Sequence, residues 1–238
     1  MQNSLSRRAR FAAGFRCGAP IMLGYAPVAF AFAVGAVGSG LPWWIVVLIS
    51  LTNFTSAGQK AGADLMIASA PLTEIGAAVF VINIRYILMS LSLTQRMLKM
   101  PLVKKLTLAN GVTDEIYFLS MKQDALSGWF FAGLSAGPYV GWVGGTFLGA
   151  LAGAVLPEAL SSALGIALFA MFIAIIVPEI KKSRAVTVVC LLAAGLSAVL
   201  YYVPVLNLIP SGWALIFAAV VAAAVGAWLF PMDKEVAA

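Results

Sequence analysis

"NFTSAGQKAGAD", residues 53–64, gathers Asn53, Thr55, Ser56, Gln59, Lys60 and Asp64 into twelve positions of an otherwise strongly apolar chain. Of its 238 residues 62% are hydrophobic and 10% charged, and the mean hydropathy is +1.00. A soluble domain carries about 25% charged residues. No charge occurs from Cys17 to Gln59, from Ala125 to Pro157, from Ala159 to Pro178 or from Ala185 to Met232. A membrane-spanning helix needs roughly 20 apolar residues, so these runs are long enough for several spans. The chain reads as a polytopic membrane protein, and the polar stretch then needs a special explanation.

Candidate spans cover residues 18–38, 43–69, 75–95, 128–155, 160–179, 185–203 and 212–231. Turn-forming segments separate them, among them "GSGLPWW" (38–44), "SAPLTE" (69–74) and "NLIPSGW" (207–213). Trp43, Trp44, Trp129 and Trp213 sit near span ends, where interfacial aromatics collect. Basic residues fall in three patches: Arg7, Arg8, Arg10 and Arg16; Arg96, Lys99, Lys104, Lys105 and Lys122; Lys181, Lys182 and Arg184. Such clusters mark the cytoplasmic side, or contacts with anionic lipid. The net charge of +6 is therefore no argument for nucleic acid, and no nucleic-acid partner is expected. With all three patches on one side, residues 17–95 must cross the membrane an even number of times, yet they hold three apolar segments. The segment at 43–69 is the one that should not cross as a plain helix. Irregular polar backbone survives at membrane depth only under cover of protein or in a water-filled cavity. A broken or re-entrant helix satisfies both polarity and parity; the alternative is an ordinary span whose polar residues face neighbouring helices. The expected fold is an all-α polytopic membrane helix bundle of about six to seven segments, one of them broken or re-entrant. It forms one integral membrane domain over 1–238 with both termini cytoplasmic.

Glycine adds a packing signal. Gly133, Gly137, Gly141, Gly145, Gly149 and Gly153 recur at four-residue intervals, forming a smooth helix ridge that lets another helix approach closely. Residues 14–40 are similarly rich in Gly and Ala, with Pro20 and Pro27 able to break the helix. The two regions read as weakly similar halves of the kind found in transporter repeats.

Chemistry is sparse. The chain has no histidine and two cysteines, Cys17 and Cys190, without CxxC context, so neither metal nor other cofactor is expected. No GxSxG or phosphate loop is present. What stands out is ionisable groups in apolar segments. Each costs about 2.5–3.5 kcal/mol to insert and usually faces the bundle interior. Lys60 and Asp64, spaced i,i+4, can neutralise one another on a helix. Arg85, in "VINIRYILMS" (81–90), has no acid within a turn and lies midway between Glu74 and Arg96. Its partner must be a ligand or an acid elsewhere, such as Asp64 or Asp114. In "NGVTDEIYFLS" (110–120) the adjacent acids Asp114 and Glu115 precede an apolar run, and Asp124 follows. They read either as a solvated helix start, with Thr113 or Asp114 as N-cap, or as proton-carrying or ammonium-binding carboxylates.

At these residues the chain resembles the AzlC family of branched-chain amino acid exporters, over nearly its whole length. The likeness rests on "GFRCGAPIMLGYAPVAFAFAVG" (14–35), the element from Ser50 to Gln59, "NIRY" (83–86) and "DEIY" (114–117). The family commonly reads Asn-Leu-Arg-His where this chain has Asn83, Ile84, Arg85 and Tyr86, and has apolar residues or Gly in place of Asn53 and Ser56. The resemblance implies a secondary-active, proton-coupled exporter of branched-chain or similar small apolar amino acids in the bacterial cytoplasmic membrane. It also implies a small AzlD-type membrane subunit as partner. A zwitterion needs a cation or helix N-terminus for its carboxylate, an acceptor for its ammonium and an apolar wall for its side chain. Arg85, Gln59, Asn83, Asn53 and Gly58 are the expected substrate-binding residues, with Phe30, Phe54 and Ile82 as wall. Asp64, Lys60, Asp114 and Glu115 are the candidates for proton coupling or charge pairing. An intramembrane enzyme or scaffold subunit acting on lipids is the alternative; it would need clustered acids, histidines or cysteines at one interface.

Overall fold

The computed structural model describes residues 6–98, 100–123, 125–153, 155, 156 and 158–231; Asp124 and the tail "DKEVAA" lie outside them. These residues form eleven α-helices and one 3-10 turn, with no strand among them. The all-α expectation holds. Single helices long and apolar enough to cross a membrane number three among the described residues: Arg7–Gly38, Arg184–Tyr202 and Ser211–Leu229. A bent pair, Leu72–Asn83 with Arg85–Arg96, makes a fourth. By length and composition, the described residues therefore supply three to four spans.

The spine is a pair of parallel helices, α1 (Arg7–Gly38) and α8 (Gly128–Gly153). Ser6 caps α1, its hydroxyl accepting from the Ala9 N–H at 3.3 Å. The helix continues through Pro20 and Pro27, so neither proline breaks it. In a bundle, neighbouring groups can satisfy the backbone that proline frees. The glycine ridge of α8 lies along α1 at backbone distance. A Cβ on Gly133 would stand 2.0 Å from the Phe11 carbonyl oxygen; on Gly145, 2.3 Å from that of Ala26; on Gly149, 2.3 Å from that of Phe30. Gly14 and Gly18 repeat this from the α1 side, against Phe130 and Leu134. Both sequences climb together along the seam, which makes the helices parallel. At Gly133, Gly145 and Gly149 no side chain fits in it.

The polar stretch breaks the chain into α2 (Trp43–Thr52) and α3 (Ser56–Ile67). Asn53 and Thr55 take extended backbone, and the Thr55 hydroxyl donates to Asn53 Oδ1 at 2.9 Å. Short polar side chains favour such local bonds over the helical ladder. Ten residues of α2 rise about 15 Å, half of a hydrocarbon core of about 30 Å. Contacts show that the pair turns back. Val46 of α2 and Ala63 of α3 join one apolar cluster with Phe32 and Ala36. Phe54, between them, reaches the Tyr25 ring lower on α1. Asp64 and Ile67 line a small cavity with Gly35 and Ser39. Both arms therefore end near the C-terminal end of α1, and the tip Asn53–Thr55 lies midway along it. The expected break in 43–69 is therefore present, at Asn53–Thr55, and the two arms fold back beside one another.

The next segment departs from the single helix expected over 75–95. α4 (Leu72–Asn83) and α5 (Arg85–Arg96) meet at Ile84 with a 45° bend. Around the bend the backbone switches to i→i+3 bonds, Ile84 N–H to the Val81 carbonyl and Ile87 N–H to that of Ile84. Interruptions of the i→i+4 ladder are a usual cause of sharp kinks. Two short helices follow, α6 (Leu102–Ala109) and α7 (Asp114–Met121). Beyond α8 come α9 (Glu158–Lys182), α10 (Arg184–Tyr202), the 3-10 turn Leu206–Leu208 and α11 (Ser211–Leu229). Buried Glu74, in the first turn of α4, accepts from the Gly212 N–H at 2.6 Å. A carboxylate there satisfies an orphan donor and faces the positive end of the α11 dipole.

Candidate functional site

Two breaks in the helices meet. The α2–α3 tip lies against the α4–α5 bend so closely that a Cβ on Gly58 would fall 2.6 Å from Thr55 Oγ1 and 2.7 Å from Asn83 Nδ2. Helix α3 opens at this point, and Thr55, its N-cap, makes no side-chain capping bond. A helix start leaves its first amides without intrahelical partners and carries the positive end of the helix dipole, and the Thr55 side chain does not satisfy them here.

Buried polar groups converge there. Gln59 is fully buried; its Oε1 accepts from Trp142 Nε1 at 3.0 Å. Its Nε2 has no partner, nor has the buried Oδ1 of Asn83. An unsatisfied buried polar atom costs about 1–3 kcal/mol. Two such atoms, one donor and one acceptor, on facing breaks leave hydrogen-bonding capacity open to a polar ligand. Aromatic rings close the other side. Phe54 stands edge-on to Tyr25, Tyr139 and Trp142, with centroids at 5.8, 5.4 and 6.3 Å. Tyr139 donates to the Leu51 carbonyl at 2.7 Å, and a buried hydroxyl pair, Ser50 and Thr146, ties α2 to α8 at 2.7 Å. The tip is thus held from three directions.

Charges sit at the edge of this junction. Arg85 opens α5, and its Nη2 meets Asp114 Oδ2 at 2.9 Å, an ion pair with both side chains about half exposed. The same guanidinium donates to the Tyr86 hydroxyl at 3.2 Å. Asp114 and Glu115 form the first turn of α7. Glu115 accepts from the Tyr25 hydroxyl, which also bonds Thr113 Oγ1 at 2.9 Å. Thr113 is the N-cap by position, but its hydroxyl serves Tyr25 in place of the α7 backbone. Partial burial raises the Asp114 carboxyl above the ordinary carboxylate value; Arg85 pulls it down and Glu115 pushes it up.

Of the residues singled out in the sequence, Asn53, Gly58, Gln59 and Asn83 come together at the breaks, with Arg85, Asp114 and Glu115 beside them. Lys60 and Asp64 do not join. They pair with each other at 2.5 Å and line the cavity near the C-terminal end of α1, with Lys60 Nζ 5.3 Å from the centre of the Phe169 ring. Phe30 has its backbone in the α1–α8 seam. Tyr25, Trp142 and Glu74 did not emerge from the sequence as site residues. Trp142 carried a signal: it stands in the middle of an apolar run, away from the ends where interfacial aromatics belong.

Known proteins supply a context for this geometry. A membrane protein of Archaeoglobus fulgidus, described as an uncharacterized membrane protein, is 36% identical over 182 residues, 75% of this chain and 80% of its own. The inner membrane protein YgaZ of Escherichia coli is 28% identical over 207 residues, 83% of this chain and 84% of its own. No solved structure matches. The model of the family described as AzlC protein matches residues 20–156, which include both helix breaks, the Arg85–Asp114 pair and the glycine ridge of α8, and the chain therefore belongs to the AzlC family.

Proposed function

We propose that this membrane protein is a secondary-active exporter of branched-chain or similar small apolar amino acids, with its substrate site where the two helix breaks meet. The observation that carries the reading is the pair of unsatisfied buried groups, Gln59 Nε2 and Asn83 Oδ1, beside the uncapped start of α3. A zwitterion offers what they lack: a carboxylate for Gln59 and the α3 amides, an ammonium for Asn83. Discontinuous helices place such termini at mid-membrane in other transporters. Phe54 and the rings around it supply an apolar wall for a branched side chain. Arg85 fits two roles. In the arrangement described here it is counter-charge to Asp114; a substrate carboxylate that displaced Asp114 would make it a clamp, since guanidinium binds either carboxylate through the same fork. Asp114, Glu115 and Tyr25 would then form the proton-responsive edge of the site, with export driven by the proton gradient. A small AzlD-type membrane subunit is the proposed partner, and the bacterial cytoplasmic membrane the proposed location, with residues 96–127 and both termini on the cytoplasmic side.

The test is efflux of radiolabelled valine and leucine from cells carrying this chain with and without the small subunit. Gln59→Leu should remove efflux while the protein inserts at normal levels. Wild-type efflux by that variant would show Gln59 to be a packing residue and move the site elsewhere.

A further inference from the structure

Away from the helix breaks, at the N-terminal end of the α1–α8 seam, lies a cavity of about 480 Å³ lined by residues of α1, α6, α8 and the segment preceding α6. Its polar contributors are Arg10, Lys104, Thr107 and Ser127, and its apolar floor includes Met100 and Leu108. Arg7 adds a second cation from α1, its guanidinium carbon 6.0 Å from the centre of the Trp129 ring, and Trp129 itself lines the cavity. A cation-rich, hydroxyl-bearing mouth over an apolar floor is complementary to a phosphate group carrying hydrocarbon.

The surroundings decide between a free anion and a lipid. Helix α6 has eight residues, a rise of about 12 Å, too short to span a membrane. It nevertheless leaves Leu102, Val103 and Leu106 exposed at 69%, 71% and 64%, beside Lys104 and Lys105. A short helix that shows bulky apolar residues and lysines together has the make-up of an element lying in the headgroup boundary. Basic pockets between helices at that level bind anionic headgroups. We infer that this cavity is a binding site for one anionic phospholipid, its phosphodiester held by Lys104 and Ser127 at the Trp129 ring, its chains against the apolar floor of Met100 and Leu108.

The test uses the full chain purified in neutral detergent and follows its unfolding temperature with phosphatidylglycerol, phosphatidylcholine or inorganic phosphate added. Phosphatidylglycerol should raise the midpoint by about 3 °C or more, with little effect from the other two at equal concentration. Lys104→Gln, on the exposed side of α6, should remove at least half of that shift; Lys122→Gln, a cation set against Phe118 elsewhere, should leave it intact. Equal stabilisation by phosphatidylcholine would overturn the headgroup assignment, and equal stabilisation by inorganic phosphate would make the site one for a free anion. A full shift in Lys104→Gln would remove this cavity from the explanation.

Discussion

Gly58 and Asn83 touch: a Cβ on the glycine would lie 2.7 Å from the amide nitrogen of the asparagine. This contact joins two helix breaks that are 25 positions apart in the sequence, and it sets opposing expectations for Gly58→Ala. Within a helix, alanine gains about 1 kcal/mol over glycine, while overpacking costs about 1–3 kcal/mol. The net stability change should be a loss of no more than about 2 kcal/mol. The Asn83 amide must turn away, however, so efflux should fall by far more than protein level. Quantitative blotting beside efflux measures both; parallel losses would reduce Gly58 to a folding residue.

Arg85 and Asp114 can be separated by a double variant. Arg85→Ala leaves a carboxylate without its partner, and Asp114→Asn leaves a cation. If pairing is the whole role of Arg85, the double variant should recover protein level and part of the efflux. If Arg85 also grips substrate, the double variant should reach normal levels and stay inactive. The second outcome is expected.

The pH dependence follows from Asp114. Burial, its largest influence, raises the carboxyl, so as pH falls it takes up a proton before an ordinary carboxylate would. The neutral acid loses its attraction for Arg85, and acid on its side of the membrane should loosen the pair. Asp114→Asn mimics that state permanently. Its residual efflux should respond less to internal pH than wild type, as measured in vesicles with clamped internal and external pH. An unchanged profile would place proton sensing on another group.

Bulk placed in the α1–α8 seam should be damaging without any substrate effect. A leucine at Gly145 would drive into the Ala26 backbone 2.3 Å from the Cβ position, and backbone cannot swing aside. Gly144, one residue along, has open space at its Cβ. Gly145→Leu should lower the amount of folded protein severalfold, while Gly144→Leu should be tolerated. Similar yields would mean that the seam can open.

Topology can be read by single-cysteine labelling in a variant lacking Cys17 and Cys190. With α2–α3 re-entrant, a cysteine at position 40 should react with a membrane-impermeant reagent from outside. Cysteines at 105 and 183 should not. The Glu74–Gly212 contact further requires positions 70 and 209 to share one side. Strong external labelling at 105 would invert the arrangement.

Much of this architecture is visible in the residues. Uninterrupted apolar runs announce the membrane. Polar side chains between Asn53 and Asp64, with the count of basic patches, announce a segment that turns back. Glycines at fourfold spacing announce a backbone-close seam. The second break was hidden because "VINIRYILMS" contains neither glycine nor proline and reads as one continuous span. What bends it is not apparent locally; the bend sits where Asn83 meets the α3 tip, a contact made only in the folded chain. Of the two readings of Lys60 and Asp64, charge pairing was legible from their i,i+4 spacing alone, and the two side chains do pair. Glu74 read as the boundary of a span, whereas its partner is a backbone amide 138 residues away.

The parallel seam also imposes an order on biosynthesis. Its two faces lie roughly 120 residues apart in the chain, a delay of about 6–24 s at 5–20 residues per second. Throughout that interval α1 is already made, while the helix that fits its backbone has yet to emerge from the ribosome. The hairpin and the bent pair are synthesised in the gap, and neither fills the groove that α8 will occupy. A nascent chain stopped before Gly153 would hold the parts of the junction without the strut that Thr146 and Trp142 brace against Ser50 and Gln59. Maturation of the site is thus timed by the arrival of α8.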